Sequence, residues 1–353
     1  MFFQADVLGR VKNESWTRRV STLDFFGTFC EVTTLDFSIY RPDWVRNTVS
    51  LMDDRQPEVV DAAVRALDPF VKSLDKDDLE SLVVTLRRTI ESTGSLGRTV
   101  PGFDAPKGIA PMLPIIIAGL TTGSNEQREQ AAYSIGDLVE RTSEVAIKPF
   151  VVQLTGPLIR VATQASAYPP GVKVAILKSL TVMLERIPVF VKPFFPQLQR
   201  TFVKSASDAS SLAVRGSAAR ALGVLMRSSN TRVDALVTEL VTSAKGSMDE
   251  EIAASLLLAC AHVLKSALAS VSSGVRESVV EVIEAAFREH HDGQHSWLLS
   301  IPCTLTQISL DRPVFAGGFV AIHEFGATRR PSSTNHTVCI LCWIFDALTD
   351  YVM

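Results

Sequence analysis

The chain has 353 residues, with 35 Lys and Arg against 38 Asp and Glu, a net charge of −3. That balance argues against a protein built to coat DNA or RNA, while leaving room for a local basic patch; the 46% apolar content excludes wholesale disorder. Five cysteines make no disulfide framework and point to a reducing compartment. No apolar run is read as reaching the ~18–20 residues of a membrane span, and the start Met1-Phe2-Phe3-Gln4-Ala5-Asp6 lacks the basic flank and apolar core of a signal peptide.

In chain order, apolar residues at helical spacing predict helix pairs at 13–30 and 41–73, then a helix at 76–92 without a pair. Asp53-Asp54 and Asp77-Asp78 stand where helix N-termini are expected, as caps or as charges favoured by the helix dipole. The stretch Ser92 to Lys107 carries Gly94, Gly97, Pro101, Gly102 and Pro106 and predicts a long loop, a place where solenoids often hold function. Pairs then follow at 108–142, 145–187, 188–228 and 231–267, with a last helix near 271–289.

These pairs repeat. Lys148-Pro149-Phe150-Val151-Val152-Gln153-Leu154 recurs 44 positions later as Lys192-Pro193-Phe194-Phe195-Pro196-Gln197-Leu198. Leu113, Leu154, Leu198 and Leu240 occupy matching places at spacings of 41, 44 and 42, each followed by a second, alanine-rich helix. A period of roughly 40–47 residues is that of HEAT or armadillo repeats. In Val214-Arg215-Gly216-Ser217-Ala218-Ala219-Arg220-Ala221-Leu222-Gly223 the residues Ala218, Ala221, Leu222 and Leu225 share one helix face, and Arg215 is placed to tie one repeat to the next. The expected fold is all-α, a HEAT/armadillo-type right-handed superhelical solenoid of six to seven helix pairs over residues 1–292. No polar capping repeat is recognisable at either end, the pattern of a slice from a longer array.

Residues 293–353 differ in composition. Only seven of the 73 charged residues fall there, and the last lysine is Lys265. With Pro302, Pro313 and Pro331 and no sustained period, this tail is expected to be irregular.

The run Val100-Pro101-Gly102-Phe103, then Thr122-Gly123-Ser124-Asn125, then Thr155-Gly156-Pro157-Leu158-Ile159-Arg160, then Lys192 to Phe202 resembles, in order and spacing, the C-terminal region of the general-control translational activator family. The resemblance covers about residues 12–290. It implies a cytoplasmic scaffold that docks the RWD domain of the initiation factor 2 alpha kinase in amino-acid starvation. It also implies contact with the ribosome, mainly through upstream repeats. The alternative is another HEAT scaffold, of the nuclear transport receptor or phosphatase type; Trp16, Trp44, Trp297 and Trp343 form none of the tryptophan ladder expected of a transport receptor.

Basic residues are the candidates for docking an acidic partner: Arg18, Arg19, Arg41, Arg46, Arg87 and Arg88 in the N-terminal repeats, and Lys192, Arg200 and Lys204 farther on, the last two at i and i+4. Each has a plain alternative as a solvated helix face or an ion pair within the array. No P-loop, Gly-x-Gly-x-x-Gly or His-Glu-x-x-His is present. No catalytic residue, cofactor, metal, membrane or small-molecule substrate is therefore expected. His262 stands alone on an apolar helix; His290, His291 and His295 beside Asp292 read as a helix end; and Cys339-x-x-Cys342 with His336 falls short of a four-ligand zinc site. Asn335-His336-Thr337 matches a glycosylation sequon.

Overall fold

The fold is taken from a computed structural model that describes residues 2–289, apart from 96, 165–167, 230 and 231. The boundary near Asp292, the tail and its Cys and His groups lie outside the described residues. Seventeen α-helices follow one another there: α1 Phe2–Val11, α2 Trp16–Val32, α3 Arg41–Ser50, α4 Pro57–Lys72, α5 Lys76–Ser92, α6 Pro101–Asp104, α7 Leu113–Thr121, α8 Asn125–Arg141, α9 Glu144–Ile147, α10 Val151–Thr163, α11 Pro170–Arg186, α12 Pro188–Val191, α13 Phe195–Ala206, α14 Leu212–Ser228, α15 Val233–Gly246, α16 Glu250–Ala267 and α17 Ser273–Glu289.

The helices stack as an all-helical repeat solenoid in two layers. In the second layer, α3, α5, α8, α11, α14 and α16 each pack on the next. In the other, α2 packs on α4, α7 on α10, and α10 on α13. Helix α5 is thus a full member of the second layer, seated between α3 and α8, and not the unpaired helix its sequence suggests. Its partner in the other layer is α7, and the 101–112 segment bridges α4 to α7. That segment is packed, not free. Val100, Phe103 and Ile109 are fully buried, Arg98 pairs with Asp53 at 2.6 Å, and Asp104 accepts a hydrogen bond from the Ser143 backbone N–H at 2.6 Å.

Local chemistry sets the helix ends. Ser124 and Gln127 form a reciprocal capping box at the start of α8. Asp75 caps α5 by accepting from the Asp78 backbone N–H at 2.8 Å, so the cap lies two positions before the Asp77-Asp78 pair. Asp77 and Asp78 instead sit in the first helical turn, where the helix dipole favours negative charge.

The core runs the length of the array. Ala218, Ala221, Leu222 and Leu225 of α14 are all fully buried, as their shared face requires. Small residues let α14 and α16 approach closely: a Cβ on Gly223 would stand 2.9 Å from the His262 carbonyl oxygen. At the N-terminal end, Phe26 stacks on Trp44 with ring centroids 3.6 Å apart, and Phe70 closes the cluster.

One stretch, Glu144–Thr163, is 20 residues long with a mean hydropathy of 1.3, enough by length and composition to cross a membrane, contrary to the expectation of no such run. It comprises α9, a 3₁₀ turn at Lys148–Phe150 and α10, with Pro157 inside the helix. Val151, Leu154, Leu158 and Ile159 are buried in the solenoid, where α10 packs against α7, α11 and α13. A core helix accounts for it.

Candidate partner-binding surface

Stacking at a fixed register brings charges 35–50 residues apart into contact, and the second layer carries a ladder of them. Arg41 of α3 pairs with Asp78 of α5, and Arg87 of α5 faces Asp137 of α8 at 3.3 Å. Lys173 of α11 reaches Asp208 at 2.6 Å. Arg215 of α14, with only 3% of its side chain exposed, donates to Ser255 Oγ at 2.9 Å, the Asp208 carbonyl at 3.0 Å and Glu251 at 2.8 Å. This is the repeat-to-repeat tie its motif implied. Arg141 and Arg186, each in the last turn of its helix, donate to the carbonyls of Glu91 and Glu140 on the preceding second-layer helix. They satisfy helix C-termini that would otherwise lack partners.

The ladder shifts its acids in opposite directions. Burial pushes the Asp137 carboxyl up, with Arg87 and Arg141 opposing it. At Asp208 burial also raises, but hydrogen bonds from Lys173 and Ser210 outweigh it and hold the carboxyl below its ordinary value. The imidazole of His262 is pushed down by burial and by Lys265 and Arg220, a neutral ring packed where α14 meets α16.

Several candidate arginines are therefore already occupied. Arg19 holds Asp54 at 3.0 Å and the Asn13 carbonyl at 2.8 Å. Arg41 is taken by Asp78, and Arg87 is shared among Glu91, Asp137 and the Tyr133 ring, 5.6 Å away. Arg46 pairs with Asp43 at 2.6 Å, exposed on both sides and cheaply exchanged. Arg18 and Arg88 are exposed and, among the described residues, have no ion-pair partner.

The second group differs. Lys192 stands in a 3₁₀ turn, Arg200 and Lys204 follow on α13, and all three are exposed with no ion-pair partner among the described residues. Shifting by the 44-residue repeat adds two cations that sequence reasoning passed over: Lys148 matches Lys192, and Arg160 matches Lys204. Lys148 lies over the Phe190 ring at 5.4 Å and Arg160 is exposed at the end of α10. The signal was present in the repeated Lys-Pro-Phe motif, once the motif is used as a ruler.

Concave chemistry is sparse. A cavity between α10 and α11, lined by Val161, Tyr168, Val172 and Lys173, holds about 10 Å³, room for no more than a single water. Among the described residues no three His, Cys, Asp or Glu converge.

Residues 2–107 match the model for "Stalled ribosome sensor GCN1-like, HEAT repeats". The chain is 38% identical over 278 residues to the eIF-2-alpha kinase activator GCN1 of Saccharomyces cerevisiae, covering 79% of this chain and 10% of that protein. It is 33% identical over 301 residues to the human stalled ribosome sensor GCN1, covering 84% of this chain and 11% of that protein. The chain belongs to the GCN1-like HEAT-repeat family. It spans about a tenth of the length of the curated GCN1 relatives it matches. Those GCN1 proteins are named as a kinase activator and a ribosome sensor, not as enzymes. A crystal structure of importin beta aligns with a TM-score of 0.49 at 14% identity, over 85% of this chain and 42% of that one, which lends no weight to the transport-receptor alternative.

Proposed function

We propose that this chain is a non-catalytic scaffold segment that binds the RWD domain of an initiation factor 2 alpha kinase and helps activate that kinase on ribosomes, in the cytoplasm, during amino-acid starvation. The observation that carries the reading is 38% identity over 278 residues to a protein named for activating that kinase. The geometry suits it. A two-layer solenoid offers a long external surface, a shape suited to holding macromolecules. Of the nine candidate basic residues, Arg18, Arg88, Lys192, Arg200 and Lys204 have no ion-pair partner among the described residues, so an acidic partner reaches them without breaking an internal ion pair.

The test is a pull-down of the purified full chain against the isolated kinase RWD domain. Binding is expected, and it weakens as salt rises from 50 to 300 mM because exposed charges more than a Debye length apart are screened. No binding by this chain, alongside binding by a longer stretch of the same array, places the docking surface in other repeats and refutes the assignment.

A further inference from the structure

Charge along this chain is segregated. Between Val145 and Ser207 there are eight Lys and Arg and a single acid, Glu185, a net charge of +7; the rest of the chain carries −10. Four of the eight cations are engaged: Lys173 with Asp208, Arg186 with the Glu140 carbonyl, Lys148 over Phe190 and Lys178 over Tyr133. The other four, Arg160, Lys192, Arg200 and Lys204, are exposed without an ion-pair partner among the described residues, and all belong to the first layer.

Apolar groups lie among them. Val145, Val152 and Val189 are 82%, 70% and 74% exposed. Val145 and Val189 are again 44 residues apart, so they stand at one structural position in consecutive repeats, as do Arg160 and Lys204. Helices α10 and α13 pack side by side, so Arg160 and Lys204 project from helix axes about 10 Å apart. Lys192 to Lys204 spans twelve residues, about 18 Å along the helix. Val152, Gln153 and Arg160 on α10 match Pro196, Gln197 and Lys204 on α13, so the two helices present the same face outward. The acid Glu144 stands at the rim, and its counterpart one repeat on is Pro188.

We infer that this strip of α9–α10 and α12–α13 is a docking site for an acidic, amphipathic protein segment about three helical turns long. The occupant's carboxylates meet Arg160, Lys192, Arg200 and Lys204, and its apolar side chains cover Val145, Val152 and Val189. The valines decide between protein and nucleic acid. A phosphate backbone uses the cations alone, and the strip's Phe150, Phe190 and Phe194 are half-buried and already packed against the core, which leaves no free ring for base stacking. The assignment rests on exposure and repeat register and does not depend on the kinase reading above.

The full chain is the bait for a phage-displayed library of random 16-residue peptides. The fourfold variant Arg160→Glu, Lys192→Glu, Arg200→Glu and Lys204→Glu serves as counter-selection, with circular dichroism confirming that it is folded. Enriched peptides are expected to be rich in Asp and Glu with two or three apolar positions at helical spacing, and to lose at least tenfold in affinity on the fourfold variant. The Val145→Ser, Val189→Ser pair is expected to weaken them at least fivefold without changing the salt dependence. Enrichment of peptides with no acidic excess, no enrichment at all, or equal binding to the fourfold variant overturns the inference. So does a 20-nucleotide oligo(U) that binds the strip more tightly than the selected peptides and ignores the valine substitutions, which assigns it to RNA.

Discussion

Two glycines of α14 provide an internal control on how closely the repeats pack. Gly216 has no heavy atom within 4 Å of where a Cβ would stand, whereas a Cβ on Gly223 would meet the His262 carbonyl oxygen at 2.9 Å and His262 Cβ at 3.0 Å. Both sit in the same helix, so replacing either by alanine gains the same helix propensity, about 1 kcal/mol. For Gly216→Ala that gain stands alone, and stability rises by about 0.5–1 kcal/mol. For Gly223→Ala the α16 backbone has to move, and overpacking of this kind costs about 1–3 kcal/mol. The two variants should therefore differ by about 1–3 kcal/mol with opposite signs or nearly so. Urea unfolding followed by far-UV circular dichroism measures the midpoints. Hydrogen exchange on α14 and α16 amides localises the effect, which matters in an array whose repeats need not unfold together. Equal stabilisation by both substitutions would refute the close α14–α16 approach.

Other consequences follow from the ladder and the core. Arg215→Ala leaves Ser255 and the Asp208 carbonyl without their donor and is expected to cost about 3 kcal/mol, while Arg215→Lys recovers only part of it because an ammonium cannot reproduce the guanidinium fork; paired urea titrations check both. Lys173→Met should cost about 2 kcal/mol at pH 7, less than the roughly 3–5 kcal/mol of a fully buried pair, because Asp208 keeps some solvent. The folded-state pKa of Asp208 is lowered from 3.8, so the pair's contribution is complete above that pH and is lost as pH falls through the folded value. The midpoint gap between wild type and Lys173→Met should accordingly shrink below about pH 4, and a gap constant from pH 7 to pH 3 contradicts the linkage. Leu222→Asp buries a charge with no partner and should cost several kcal/mol, on the order of 4 or more, read as loss of helical signal at 25 °C.

The fold was legible because a solenoid writes its period into the chain. The 44-residue recurrence of Lys-Pro-Phe and the alanine-rich face of α14 each map onto a structural element. Less legible was the phase of the helices near the N-terminal end. Helix α5 has a full amphipathic face, but its partner α7 lies beyond the 101–112 segment in the chain, whose glycines and prolines read as an open loop. Burial of Phe103 and Ile109 turns that loop into a wedge. The candidate site was legible as residue types but not as states. Whether an arginine is free depends on what stands one repeat away, and Arg19, Arg41 and Arg87 look the same as Arg18 and Arg88 until the stacking register puts Asp54, Asp78 and Asp137 beside them.

The two layers thus spend their charges differently, and the difference has a physical origin. Second-layer helices pack on two like neighbours, so a charged side chain near that interface loses water on both sides and persists only if paired. Hence the run of ion pairs from Arg41 to Glu251. First-layer helices α10 and α13 keep an outward face fully in water, where an unpaired lysine costs nothing and repulsion among neighbours is screened. Nothing in the energetics of folding requires that face to exclude acids, nor to hold three valines in the open. A surface optimised for solubility mixes both signs of charge and avoids contiguous apolar patches. A basic strip whose one acid, Glu144, stands at its rim, with matched valines in consecutive repeats, is the arrangement that a complementary partner, and not the stability of the array, accounts for.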